Sequence, residues 1–188
     1  MKAIIKWVIF ILIAAAAAKH PVVGVLTKPV SEKDPTKGSF LGSTIVRYPQ
    51  SAGLRVVPIP YDMPFDELDV LLSNLNGVVF TGGGLTLRPG FRYFEAAKHI
   101  FKKSLAWQKT DPFPIFGVCM GFQLLHILVA NNESCLTENA FDSSGLPLPL
   151  EFTSQAKKSA MFGSSPPELM IALTTRNLTL NDHVCGVE

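Results

Sequence analysis

Four short apolar runs recur along this chain, and between consecutive runs lie stretches long enough to hold a helix. The runs are Pro21 to Leu26, Leu54 to Ile59, Gly77 to Phe80 and Phe113 to Phe116. The first, continuous rather than alternating in apolar character, has the pattern of a strand buried on both faces. Helices are expected over Thr36 to Gln50, Phe65 to Leu75 and Arg92 to Trp107, the last with Phe94, Ala97, Ile100, Phe101 and Leu105 on one face. Strands alternating with helices predict an α/β fold, a doubly wound and mainly parallel sheet flanked by helices. Beyond Ala130 the pattern loosens. Leu146 to Phe152 reads as an edge strand, because Pro147 and Pro149 cannot donate to a ladder, and Ser165 to Leu169 reads as a helix start.

Chemistry is suggested where the fourth run ends. Gly117-Val118-Cys119-Met120-Gly121 stands between that strand and the amphipathic run Phe122 to Val129, so it reads as strand, sharp turn and helix. A reactive residue at such an elbow needs a small neighbour on each side, since a Cβ at either flank would meet the adjoining strand or helix. The helix that follows would point its unpaired N–H groups and the positive end of its dipole at the Cys119 sulfur, which favours the thiolate and prepares donors for an oxyanion. Cys119 is therefore the candidate nucleophile. A structural cysteine in a strand-to-helix turn would give the same local pattern.

A second glycine turn, Thr81-Gly82-Gly83-Gly84, closes the third run. Reactive groups in open α/β sheets collect at the carboxyl ends of the strands, so this turn and Cys119 are expected to share a crevice. An N–H from the glycines would join that of Met120 in stabilising a negative oxygen. A phosphate cradle is disfavoured, because neither a following Gly-Lys-Ser/Thr nor Gly-x-Gly-x-x-Gly spacing is present. The nucleophile also needs a general base, normally histidine. His126 lies two helical turns from Cys119, His20 is near the start, His99 sits in a helix before the elbow strand, and His183 is the remaining candidate, better suited to substrate contact than to proton transfer.

Composition narrows the setting. Seventeen Lys and Arg against fifteen Asp and Glu leave a net charge of +2 with no basic stripe among aromatics, which gives nucleic-acid binding no support. Residues 1–18 combine early lysines, an apolar block from Trp7 to Ile13 and a run of alanines, the pattern of a signal peptide too short to span a membrane. The mature segment, 19–188, would then enter an oxidising compartment, where Asn132 and Asn177 stand in glycosylation sequons. Of three cysteines, Cys135 and Cys185 either pair or both stay reduced. No cysteine or histidine pair has zinc-ligand spacing, so no metal or other cofactor is expected.

Taken together, several stretches resemble the gamma-glutamyl hydrolases, peptidase family C26 within the class I glutamine amidotransferase-like superfamily. They are Pro21 to Leu26, Ser51 to Ile59, Asn76 to Gly83, Pro114 to Gln123, Leu148 to Thr153 and Asn181 to His183. The resemblance implies a Cys119 thiolate attacking a γ-linked amide of folate poly-γ-glutamate through a thioester. It further implies oxyanion N–H groups from Gly83 and Met120, and a substrate contact from His183. Secretion or delivery to a lysosome or vacuole is implied as well, with no membrane attachment after signal cleavage, and a homodimer is left open. The family's catalytic histidine belongs to a Gly-x-Gln-x-His-Pro-Glu motif downstream of the His183 position, and no such motif occurs up to Glu188, so the sequence is expected to be C-terminally truncated. Phe40 stands where the family usually has tyrosine, and Thr81 where it commonly has proline. Two other classes stay open: a non-catalytic protein that binds γ-glutamyl chains, and a glutaminase subunit feeding a synthase, which secretion disfavours.

Overall fold

The computed structural model describes residues 20–107 and 111–187; the expected signal segment lies outside them. The described chain forms two compact units that divide after Glu133. In chain order the first holds strands β1 (Val22–Leu26), β2 (Lys28–Pro29), β3 (Ser39–Phe40), β4 (Arg55–Ile59), β5 (Gly77–Phe80) and β6 (Ile115–Gly117). Its helices are α1 (Ser43–Ser51), α2 (Phe65–Leu72), α3 (Arg92–Trp107) and α4 (Met120–Ala130).

Four of these strands make one parallel sheet in the order β4-β1-β5-β6. The chain therefore winds outward from β1 in one direction and then, through β5 and β6, in the other. The switch falls between the carboxyl ends of β1 and β5, the place where α/β sheets gather their functional groups. All of β5 and the last four residues of β1 are buried, as the unbroken apolar runs predict. Asn76 pins the two strands at their entry, its side-chain oxygen accepting from the Val22 N–H at 2.8 Å while its own N–H donates to the Val22 carbonyl at 2.7 Å. Val25, Leu26, Ile59, Leu68, Leu72, Phe80, Ile100 and Leu124 are fully buried and form the centre of the core. Burial of each such side chain contributes about 1.5–3 kcal/mol before the entropy cost of ordering it.

The sequence expectations need correction at α1 and α3. The helix expected from Thr36 begins at Ser43. Asp34 accepts from the N–H and hydroxyl of Thr36 at 3.2 and 2.6 Å, which favours one short turn over Pro35–Lys37, and Gly38 at φ 79° ends it. The chain then pairs Ser39–Phe40 with Lys28–Pro29. Pro49 sits near the end of α1, where its missing donor costs only one bond of the last turn. In α3 the buried face is Tyr93, Phe94, Ala96, Ala97, Ile100 and Ser104, and Leu105 is exposed. The polar residue is inside because its hydroxyl donates to the Phe113 carbonyl at 2.6 Å, tying α3 to the approach of β6.

The second unit holds β7 (Leu136–Thr137), β8 (Ser143–Leu148), α5 (Pro167–Thr175), β9 (Thr179–His183) and β10 (Gly186–Val187). β8 and β9 form an antiparallel ribbon with a bulge between Ser143 and Leu146, where Gly145 takes φ 64°. The strand expected over Leu146 to Phe152 thus lies earlier and ends before Pro149, which has no N–H for the ladder. The Leu150 N–H instead donates to the Leu173 carbonyl of α5 at 2.7 Å. β7 and β10 pair with Thr137 opposite Gly186. No cysteine of the described residues is in a disulfide.

Candidate active site

Cys119 occupies the turn between β6 and α4 with φ 53° and ψ −114°. A β-carbon makes this backbone region costly, about 1–3 kcal/mol for a residue other than glycine. The conformation brings the thiol out to solvent, so Cys119 is exposed although its neighbour Met120 is only 1% exposed. The two flanking glycines are what permit the turn. A Cβ on Gly117 would lie 2.5 Å from the Gly121 carbonyl oxygen, and one on Gly121 would lie 2.6 Å from the Phe80 carbonyl carbon and 2.8 Å from its Cβ. Both clashes involve backbone, which cannot swing aside as a flexible side chain does.

The first turn of α4 supplies donors. The Gly121 N–H is taken by the Val118 carbonyl at 2.9 Å, and those of Phe122 and Gln123 by the Cys119 carbonyl at 2.9 and 3.1 Å. Among the described residues this leaves the Met120 N–H, beside the sulfur, without a backbone acceptor. The Met120 side chain acts separately, its Sδ accepting from the Leu85 N–H at 3.1 Å and so anchoring the chain that leaves the glycine turn.

That turn stands where the sequence places it. A Cβ on Gly82 would be 3.2 Å from the Cys119 Cβ and 3.7 Å from its Sγ, so Gly82 lies against the cysteine. Gly83 has φ 155°, a backbone state that side-chain-bearing residues rarely adopt. The Gly82 carbonyl accepts from Lys28 Nζ at 2.6 Å. Because C=O and N–H point to opposite sides of a trans peptide, the Gly83 N–H faces away from the lysine. Sequence reasoning missed Lys28. It follows β1, 54 residues before Gly82, and only the pairing of β1 with β5 brings them together.

Below the turn, the Thr81 and Tyr93 hydroxyls are buried, and among the described residues neither has a partner in good hydrogen-bond geometry. Burial pushes the Tyr93 phenol up to about 12, partly opposed by the nearby Thr81. The Glu32 carboxylate accepts from the Thr86 N–H at 3.0 and 3.2 Å and from its hydroxyl at 3.1 Å, which fixes the far side of the turn.

His20 is exposed at the start of the described chain, and the other two histidines of the first unit have neighbours of their own. His99 Nε2 is 2.6 Å from Asp69 Oδ1 and its ring stacks on Phe65 at 4.5 Å. Asp69 also meets Lys103 Nζ at 2.6 Å; the Lys103 hydrogen bond, helped by His99 and opposed by burial, holds the Asp69 carboxyl below its ordinary value. His126 is exposed and its Nδ1 lies 3.1 Å from the Phe122 carbonyl of its own helix. His183 ends β9 in the second unit, with its ring 6.3 Å from Phe141. Among the described residues no group of three His, Cys, Asp or Glu is arranged to hold a metal ion, and no helix is long and apolar enough to cross a membrane.

A parallel sheet carrying an exposed, backbone-strained cysteine between two close-packed glycines, with a glycine turn packed against it, defines an α/β protein with a cysteine at a strand-to-helix elbow. Within that class the chain belongs to the Peptidase C26 family, whose sequence pattern matches residues 21–131. It is 38% identical over 168 residues to gamma-glutamyl hydrolase of Mus musculus, covering 88% of this chain and 52% of that protein. It is 34% identical over 169 residues to gamma-glutamyl hydrolase of Homo sapiens, with 88% and 52% covered. Against gamma-glutamyl hydrolase 1 of Arabidopsis thaliana it is 31% identical over 175 residues, with 89% and 49% covered. The chain thus spans about half the length of these curated relatives.

Proposed function

We propose that this chain carries the nucleophile-bearing part of a hydrolase that cleaves γ-glutamyl bonds, with folate poly-γ-glutamates as substrates. The observation that carries this reading is Cys119, exposed at φ 53° between two glycines at which a Cβ would clash with backbone, in a chain whose relatives are named gamma-glutamyl hydrolases. The Cys119 sulfur attacks the carbonyl carbon of the γ-amide and the carbonyl electron pair moves to oxygen, where the Met120 and Gly83 N–H groups stabilise it. Collapse breaks the C–N bond, the departing amine takes a proton from the general acid, and a thioester is left on Cys119. Water then attacks the thioester and returns the thiolate.

The proton is handled by the histidine of the motif that the family resemblance implies. Export through the secretory route, with the protein destined for the outside or for a lysosome or vacuole, fits the exposed sequon asparagines Asn132 and Asn177. The test is chromatographic assay of glutamate release from a folate pentaglutamate by the protein with its full natural sequence. Wild-type turnover that falls at least about a thousandfold in Cys119→Ala supports the reading. Binding of the pentaglutamate with no release by the wild type would show a binding protein instead.

A further inference from the structure

A substrate bearing carboxylates needs a cation at the site, and of the two arginines closest to the glycine turn in sequence Arg88 is exposed and Arg92 is bound elsewhere. The Arg88 guanidinium lies 5.4 Å from the Phe91 ring. Arg92 stacks over Phe65 at 4.4 Å and donates to the carbonyls of Asp62, at 3.3 Å, and Met63. Lys28 is differently placed. It leaves the carboxyl end of β1 at the switch point of the sheet, its Nζ donates to Gly82 at 2.6 Å, and it stands 5.7 Å from the Phe40 ring. Gly82 is also the residue packed against Cys119, so one glycine touches the ammonium on one side and the nucleophile on the other.

An ammonium carries three donors, and the Gly82 carbonyl takes one. Among the described residues both ion pairs belong to Asp69, and the acid nearest in sequence, Glu32, is bound to Thr86. Lys28 is half-buried rather than fully solvated, which strengthens its attraction for an anion. In a γ-glutamyl group the α-carboxylate carbon lies four C–C bonds from the reacting carbonyl carbon, about 5 Å when extended, a reach matched to partners that share one intervening residue.

We propose that Lys28 is the specificity-determining cation of the site, receiving the carboxylate of an anionic acyl donor beside Cys119. The donor's identity as a γ-glutamyl group rests on the function proposed above; the charge preference of the cysteine does not. The test compares alkylation of Cys119 by iodoacetate, an anion, with alkylation by neutral iodoacetamide, followed at each cysteine by peptide mass spectrometry on the folded protein. Both reagents attack the same thiolate, so their rate ratio cancels any change in thiol ionisation. The ratio at Cys119 should exceed that of a free cysteine peptide by about fivefold. It should fall to the peptide value in Lys28→Gln, persist in Lys28→Arg, and decline in the wild type between low and high salt. An unchanged ratio in a folded Lys28→Gln protein, or a wild-type ratio insensitive to salt, overturns the proposal. The salt series needs no variant, so it decides even if Lys28→Gln misfolds. A charge preference that survives alongside absent γ-glutamyl hydrolysis would sink the proposed function and leave Lys28 as the anion site.

Discussion

Gly121 packs directly on the end of β5, so close that a Cβ there would sit 2.6 Å from the carbonyl carbon of Phe80. The same Phe80 carbonyl accepts from the Val118 N–H at 3.0 Å. One carbonyl thus holds the entry to the cysteine turn by a hydrogen bond and forbids bulk at its exit.

Gly121→Ala should therefore destabilise the first unit by about 2–3 kcal/mol, the cost of forcing a methyl group into packed backbone. Denaturant titration followed by circular dichroism measures it. Gly84→Ala is the control, since nothing lies within 4 Å of a Cβ at that position, and it should fall within about 0.5 kcal/mol of the wild type.

Backbone strain at Cys119 yields a prediction of opposite sign. At φ 53° and ψ −114° the cost belongs to the β-carbon rather than to the sulfur. Cys119→Gly should be more stable than Cys119→Ala by about 1 kcal/mol, although glycine ordinarily destabilises relative to alanine. Both variants lose thiol reactivity at this position, so comparative thermal melts separate the strain from the chemistry.

The Asp69 cluster sets an acid limit on stability. Lys103 and His99 hold the Asp69 carboxyl below its ordinary value of 3.8 in the folded chain. A group whose folded value is depressed contributes fully above its unfolded value and loses that contribution as pH falls through the folded one. The stabilisation should be complete above about pH 5 and vanish progressively below 3.8. Because the side chain is 36% exposed, Asp69→Asn should cost only about 0.5–1 kcal/mol at neutral pH. Stability curves of the variant and wild type should converge as the solution is acidified.

The sheet and the elbow were legible in the sequence because both depend on local pattern. Buried parallel strands must be continuously apolar, and a cysteine turn with glycine on each side leaves little choice of geometry, so β1, β5 and Cys119 stand where the residues predict. The contribution of Lys28 was hidden because it depends on strand order. A lysine after β1 meets a glycine after β5 only if those strands are neighbours. Arg92, close to the turn in sequence, stacks over Phe65 and donates to the Asp62 and Met63 carbonyls instead. Ser104 inside and Leu105 outside reversed the hydrophobic expectation because one buried carbonyl, that of Phe113, needed a donor. Helix α1 began late because the Asp34 side chain capped a short turn first.

The proposed covalent catalysis by Cys119 is tested by rapid-quench mass spectrometry of the protein with its full natural sequence, mixed with a folate pentaglutamate. A thioester mechanism predicts a transient mass increase, equal to the acyl part of the substrate, that maps to the peptide containing Cys119 and is absent in Cys119→Ser. Turnover that persists in Cys119→Ser, with no adduct at position 119 in the wild type, would contradict it.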